Sequence, residues 1–101
     1  MTFEQQADKV SIWTWKKGLH KVSSPLIQHN KMVEEVEELR IEIFKGDVKA
    51  IEDELGDVLF TACVQAELWG LDPTVCLAKA VAKVTGRKGK MVDGLYVKDP
   101  Q

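Results

Sequence analysis

The chain has 101 residues, of which 45% are hydrophobic and 30% charged, as is typical of one soluble globular domain, here expected to span residues 1–101. We expect no membrane span, because no run of 18 apolar residues occurs, and no signal peptide, because the first residues, MTFEQQADK, are polar. A cytoplasmic location is therefore expected, with Cys63 and Cys76 reduced and acting as buried apolar side chains.

The net charge of -2 hides an uneven distribution of charge along the chain. From Glu34 to Asp57 there are ten acids and three bases, and from Lys79 to Lys98 there are six bases and one acid. The first segment favours binding of cations and the second favours binding of anions. Because so acidic a centre is unusual in a duplex-DNA-binding protein, no nucleic-acid partner is expected.

Helix start and stop signals divide the chain into four predicted helices. Ser24 and Pro25 suit the N-cap and first-turn positions of the second helix, Gly46 ends it, and Asp47 can cap the third helix. Four helices with short links predict an all-α, up-and-down four-helix bundle. The predicted helices span residues 3–17, 25 to 44 or 45, 48–69 and 73–85, with a loop at 18–25 and a basic loop and tail at 86–101.

The second and third helices carry matching apolar stripes, offset by 19 residues. Positions spaced i, i+4, i+7 and i+11 lie on one side of a helix. We therefore expect the two helices to pack against each other through these stripes. The stripes are Met32, Val36, Leu39 and Ile43, and Ile51, Leu55, Val58 and Ala62.

Acidic pairs accompany both stripes, each pair spaced i, i+3 on one helix face. These pairs are Glu35 with Glu38 and Glu54 with Asp57. When the stripes pack, the four carboxylates should converge, and at 4 Å each pair costs about 4 kcal/mol at an effective dielectric of 20. Oxygen-only sites suit hard cations such as Mg²⁺ or Mn²⁺, which can bridge phosphate oxygens and activate water. Acids on amphipathic helices are commonly only a solvated surface, but the doubled pattern favours a metal site.

One glycine and two tryptophans also bear on a binding site. Gly56 lies inside a helix, where it costs about 1 kcal/mol relative to alanine. Close approach of a metal, a ligand or a neighbouring helix would explain it, and so would close helix packing alone. Trp69 falls in the apolar stripe and is expected in the core, whereas Trp15 lies near a loop and is a candidate for stacking on a nucleobase.

The acidic motifs resemble those of a known enzyme family. The second helix reads KMVEEVEEL (31–39) and the third reads EDELGDVLF (52–60), which together resemble the E-x-x-E and E-x-x-D motifs of the MazG-like all-α nucleoside triphosphate pyrophosphohydrolases. Gln28 and Lys31 add a Q-x-x-K motif, and CLAKAVAKVTGRKGKMVDGLYVK (76–98) looks like the tail of the short phage-type branch. The resemblance covers about residues 15–98.

This resemblance implies a MazG-type helical bundle that dimerises through its helices, with dimers sometimes paired into tetramers. It also implies Mg²⁺-dependent hydrolysis of NTPs or dNTPs to a monophosphate and pyrophosphate, for house-cleaning or nucleotide-pool control. The implied metal ligands and catalytic residues are Glu35, Glu38, Glu54 and Asp57. The implied triphosphate-binding residues are Lys31, Lys83, Arg87 and Lys90.

Some alternatives stay open at this point. A solvated basic tail is the other interpretation of Lys88 and Lys90. Family members often carry an Asn on the fourth helix where this chain has Ala82, so base and sugar selectivity are left undefined. The chain could also be a non-catalytic nucleotide- or protein-binding helical module, or a helical dimerisation protein. Retention of all four mutually repelling acids argues against the binding module, and the matched stripes and basic tail argue against the dimerisation protein.

Overall fold

A computed structural model describes residues 1–100, and within them the chain forms five helices and one β-hairpin. This confirms the prediction of an all-α, bundle-like fold. No helix in this part of the chain combines the length and the apolar character that crossing a bilayer requires. The elements are α1 (Phe3–Lys16), α2 (Leu19–Val22), α3 (Pro25–Lys45), α4 (Val48–Leu68), α5 (Pro73–Thr85), β1 (Gly89–Val92) and β2 (Leu95–Lys98).

The long helices begin and end where their capping residues predict, to within one residue. The Ser24 hydroxyl accepts a hydrogen bond from the Ile27 amide at 3.1 Å, and Pro25 opens α3. Gly46 ends α3 with a φ of 75°, in the left-handed region that favours glycine. The Asp47 carboxylate then accepts a hydrogen bond from the backbone of α4. These caps satisfy amides and carbonyls that have no partner within the helix.

Two segments that were predicted as loops are ordered differently. Residues 18–25 contain the single-turn helix α2, and the predicted basic loop and tail at 86–101 contains the antiparallel hairpin β1–β2. Asp93 and Gly94 form its tight turn with φ values of 51° and 80°, which match the right-handed twist of paired strands. Gln101 lies outside the described residues.

The small core lies where α1 crosses α4. Val10, Cys63 and Val64 are buried there, with α5 packing on parts of α1 and α4 and α3 lying along α4. Two predictions of burial are wrong. Trp69 is 64% exposed, its indole nitrogen donating to Gln65, and Cys76 is exposed at the start of α5. The physical reason is that α5 covers only part of the apolar surface of α4.

Candidate metal centre

Carboxylates lie inside the seam between α3 and α4, among its apolar side chains. The buried or half-buried positions recur at steps of three and four residues, the spacing of a helix–helix seam. Glu35 and Glu54 occupy two of these positions, whereas Val36 and Ile43 of the predicted stripe are 49% and 58% exposed. The seam positions are Met32, Glu35, Leu39 and Glu42 on α3, and Ile51, Glu54, Val58 and Thr61 on α4.

Three of the four predicted acids come together at the middle of this seam. One oxygen from each of Glu35, Glu38 and Glu54 lies within 4.8 Å of the others. Because Glu35 is buried, Glu54 half-buried and Glu38 exposed, the cluster opens to solvent on one side. Asp57 lies one turn beyond Glu54 and outside this group, although its negative charge contributes to raising the pKa of Glu54.

Two oxygens of the cluster have no hydrogen-bond partner among residues 1–100. They are Glu35 Oε2 and Glu54 Oε2, and both are buried. Buried acceptors in proteins are nearly always satisfied, and leaving one unsatisfied costs about 1–3 kcal/mol. An oxygen-only donor set with two unpartnered buried oxygens fits a hard divalent cation.

Charge compensation within the chain supports the same interpretation. The Lys31 ammonium lies 3.1 Å from Glu35 Oε1 and 3.3 Å from Glu34 Oε2, and its hydrogen bond to Glu35 is the main cause of a lowered Glu35 pKa. Burial raises the pKa of Glu54 to about 7, with further contributions from the neighbouring Glu35 and Glu38 carboxylates. The Lys31 ammonium thus neutralises Glu35, and a proton retained on Glu54 neutralises that carboxyl. A divalent cation bound between the two could replace both.

The amino-acid sequence that forms these elements matches a known domain family. The family model described as "MazG nucleotide pyrophosphohydrolase domain" matches residues 24–92, more than half of the chain. The chain belongs to the MazG nucleotide pyrophosphohydrolase family. The matched region runs from the N-cap of α3 to the end of β1 and includes the whole acidic cluster. No curated protein and no solved structure matches the chain.

MazG membership supports nucleotide pyrophosphohydrolase activity in general, and members of the family are typically metal-dependent. The three clustered carboxylates of this MazG chain are consistent with that dependence. The family match therefore agrees with the oxygen-only donor set of the three clustered carboxylates.

The predicted triphosphate-binding residues of the MazG chain lie in separate places. Lys31 is at the acidic cluster, whereas Lys83 and Arg87 line a cavity of about 660 Å³ at the base of the hairpin. Lys90 lies on β1. Because successive residues of a strand face opposite sides, its side chain lies on the opposite face of the hairpin from its two chain neighbours. The structure does not bring Lys90 into this cavity.

Trp15, the predicted base-stacking residue, has partners within the chain. Its indole nitrogen donates to Glu67 at 3.2 Å, and its ring packs against the tilted His20 ring at a centroid distance of 3.8 Å and an interplanar angle of 43°. Glu67 follows Glu54 by 13 residues on the same helix, which corresponds to about 20 Å along the axis. The structure therefore places Trp15 away from the acidic cluster, and its role in base binding stays a prediction.

Sequence reasoning assigned no role to Tyr96 or Lys98, although Lys98 lines the cavity beside Arg87 and the Tyr96 hydroxyl donates to the Arg87 carbonyl. The signal that could have found them is the Asp93–Gly94 pair between two apolar stretches. This is a strong short-range indication of a hairpin, and the paired strands bring both residues back beside Arg87.

Proposed function

We propose that the chain hydrolyses nucleoside triphosphates, either NTPs or dNTPs, between the α and β phosphates. The products would be a nucleoside monophosphate and pyrophosphate, and the cofactor would be Mg²⁺, or Mn²⁺ in its place. The observation that carries this proposal is the cluster of Glu35, Glu38 and Glu54, with two unpartnered buried oxygens, in a chain of the MazG family.

Each charged residue has a proposed part in this reaction. Glu35, Glu38, Glu54 and Asp57 would hold the metal, and one of the four would orient the attacking water. When bound, the metal supplies positive charge beside the phosphate oxygens during an in-line displacement. Lys31 would leave Glu35 for a phosphate oxygen once that carboxylate is otherwise neutralised. The remaining cations proposed to bind the triphosphate are Lys83, Arg87 and Lys90, and Trp15 stays the proposed base contact.

Product analysis with the four NTPs and the four dNTPs, in Mg²⁺ and in EDTA, tests this proposal. Pyrophosphate and monophosphate, formed only with Mg²⁺, are expected. Glu38→Gln should abolish turnover, whereas Glu52→Gln, an equal charge change on an exposed face of α4, should not. Orthophosphate and diphosphate as products would contradict cleavage at the α–β bond. No turnover by folded protein would leave a non-catalytic nucleotide- or protein-binding module.

We also propose that the chain forms a homodimer, or a homotetramer of paired dimers, through its helices. Its radius of gyration is 16.0 Å, against about 13 Å for a compact chain of this length. Its accessible surface is 7869 Å², against about 5,800 Å² for a monomer of its mass. The excess of about 2,000 Å² is of the size that each partner of an obligate dimer buries.

Exposed apolar residues of α3 and α4 indicate where the second copy would pack. Val36, Leu55 and Leu59 are about half exposed, and Leu59 and Met32 line an apolar groove that continues along α5. Light scattering after size exclusion should give two or four times the chain mass of 11.4 kDa. Leu59→Glu should lower that mass, whereas Val22→Glu on α2 should not. A wild-type chain of monomer mass would contradict the proposal.

A cytoplasmic location is proposed as well. Both cysteines are free thiols, which is typical of a reducing compartment. Fractionation of cells that produce the protein, with detection by antibody, tests this location.

A further inference from the structure

The cavity at the base of the hairpin concentrates positive charge. Among the residues that the structure describes, four cations and one acid, Asp99, line it. Within residues 1–100 none of the four forms an ion pair. Because like charges held close together repel, an anion would stabilise this arrangement as a cation would stabilise the acidic cluster. The four cations are Lys83, Arg87, Lys88 and Lys98.

Backbone hydrogen bonds fix the entrance of the hairpin around Arg87. The Arg87 amide donates to the Val84 carbonyl at 3.2 Å, and the Asp99 amide donates to the Lys88 carbonyl at 2.7 Å. The Tyr96 hydroxyl donates to the Arg87 carbonyl at 3.1 Å. The backbone of Arg87 is therefore held on its amide side by the end of α5 and on its carbonyl side by the returning strand.

Gly89 makes this arrangement possible. A Cβ atom at Gly89 would press against the Val97 carbonyl oxygen and would lie 2.9 Å from Tyr96 Cζ. The glycine therefore lets the Tyr96 ring lie directly over β1, where its hydroxyl reaches back to Arg87. Gly89 pairs with Lys98, and Tyr96 shares that face of the hairpin because side chains alternate along a strand.

We propose that two hairpin residues extend the triphosphate-binding role already assigned to Arg87: Tyr96 is the positioning residue of Arg87, and Lys98 is a further contact for the phosphates that Arg87 binds. The planar guanidinium of Arg87 can hold two phosphate oxygens at once, and Lys98 adds a point charge from the neighbouring strand. A fixed backbone lowers the ordering cost of binding, which is the contribution of Tyr96 and Gly89. The proposal rests on the proposed function for the identity of the complete substrate.

Calorimetric titration of the metal-free protein with inorganic pyrophosphate tests the site without turnover. Arg87→Ala and Lys98→Gln should each weaken binding about tenfold or more, in line with loss of a charge-assisted contact. Tyr96→Phe removes only the hydroxyl and should weaken binding about threefold to tenfold. Lys16→Gln, an equal charge change at the exposed end of α1, is the matched control and should bind as the wild type does.

Steady-state kinetics separates positioning from general damage to the fold. Tyr96→Phe should raise KM for the triphosphate by the same factor of about three to ten that is expected for pyrophosphate binding, while kcat and the melting temperature stay near wild type. Unchanged pyrophosphate affinity and KM in both Tyr96→Phe and Arg87→Ala would overturn the inference while leaving the hydrolase proposal intact. If the wild type cleaved no triphosphate, the proposed function would fail, and the pyrophosphate titration would still decide whether the cavity binds phosphate.

Discussion

Glu54→Gln replaces the half-buried carboxyl of the acidic cluster with an uncharged amide of the same size. In the folded chain the pKa of Glu54 is raised from 4.5 to about 7, first by burial and then by neighbouring carboxylates. The folded state therefore binds more protons than the unfolded state between these two values, and folding is progressively disfavoured as pH rises through that window. The melting temperature of the metal-free wild-type protein should fall between pH 5 and pH 7. Above that range Glu54 should cause no further fall.

The size of the effect follows from the two pKa values. At pH 6 Glu54 is about 90% protonated when folded and about 3% protonated when unfolded, so folding takes up close to one proton. Circular-dichroism melts in EDTA at pH 5, 6, 7 and 8 measure the slope directly. Glu54→Gln should flatten this slope and melt above the wild type at pH 8, whereas Glu52→Gln should keep the wild-type slope. Parallel curves for the wild type and Glu54→Gln would refute the assigned environment of Glu54.

Three further changes test other parts of the structure. Lys31→Gln removes the ammonium beside Glu35, so the metal-free melting temperature should fall and added Mg²⁺ should restore most of it; a fall that Mg²⁺ does not reverse would contradict this. Gly56→Ala should raise the free energy of unfolding in urea by up to about 1 kcal/mol, since among residues 1–100 no atom outside the adjoining backbone of α4 lies within 4 Å of the added Cβ; destabilisation would reveal a partner or ligand there. Asp47→Ala should cost about 1 kcal/mol in the same assay through loss of the α4 cap, and no loss would show that the cap is unimportant.

Local signals predicted the long helices well because each cap acts through its own neighbouring backbone. Ser24 and Asp47 hydrogen-bond to amides three residues ahead, so their effect does not depend on the rest of the fold. The hairpin was missed because its strands are only four residues each and lie in a basic segment. The Asp93–Gly94 turn decides its structure, and this turn is a signal of only two residues.

Side-chain placement was harder to predict because it depends on which elements meet. The helical repeat identified the acids that come together, but it placed Glu35 and Glu54 beside the seam, whereas the structure has them within it. A pattern of apolar residues predicts where a helix prefers to be buried, and a functional site can break that preference. Trp69 shows the converse case, because its apolar position on α4 meets too little of α5 to be buried.

The central claim is that the α3–α4 carboxylates hold a divalent metal for nucleotide cleavage. The most direct test is calorimetric titration of Mg²⁺ into protein saturated with a triphosphate whose α–β bridge cannot be hydrolysed. Binding to the wild type and to Glu52→Gln, with binding lost in Glu38→Gln and Glu54→Gln, is the predicted result. Equal Mg²⁺ binding in all four proteins, or none in the wild type, would contradict it.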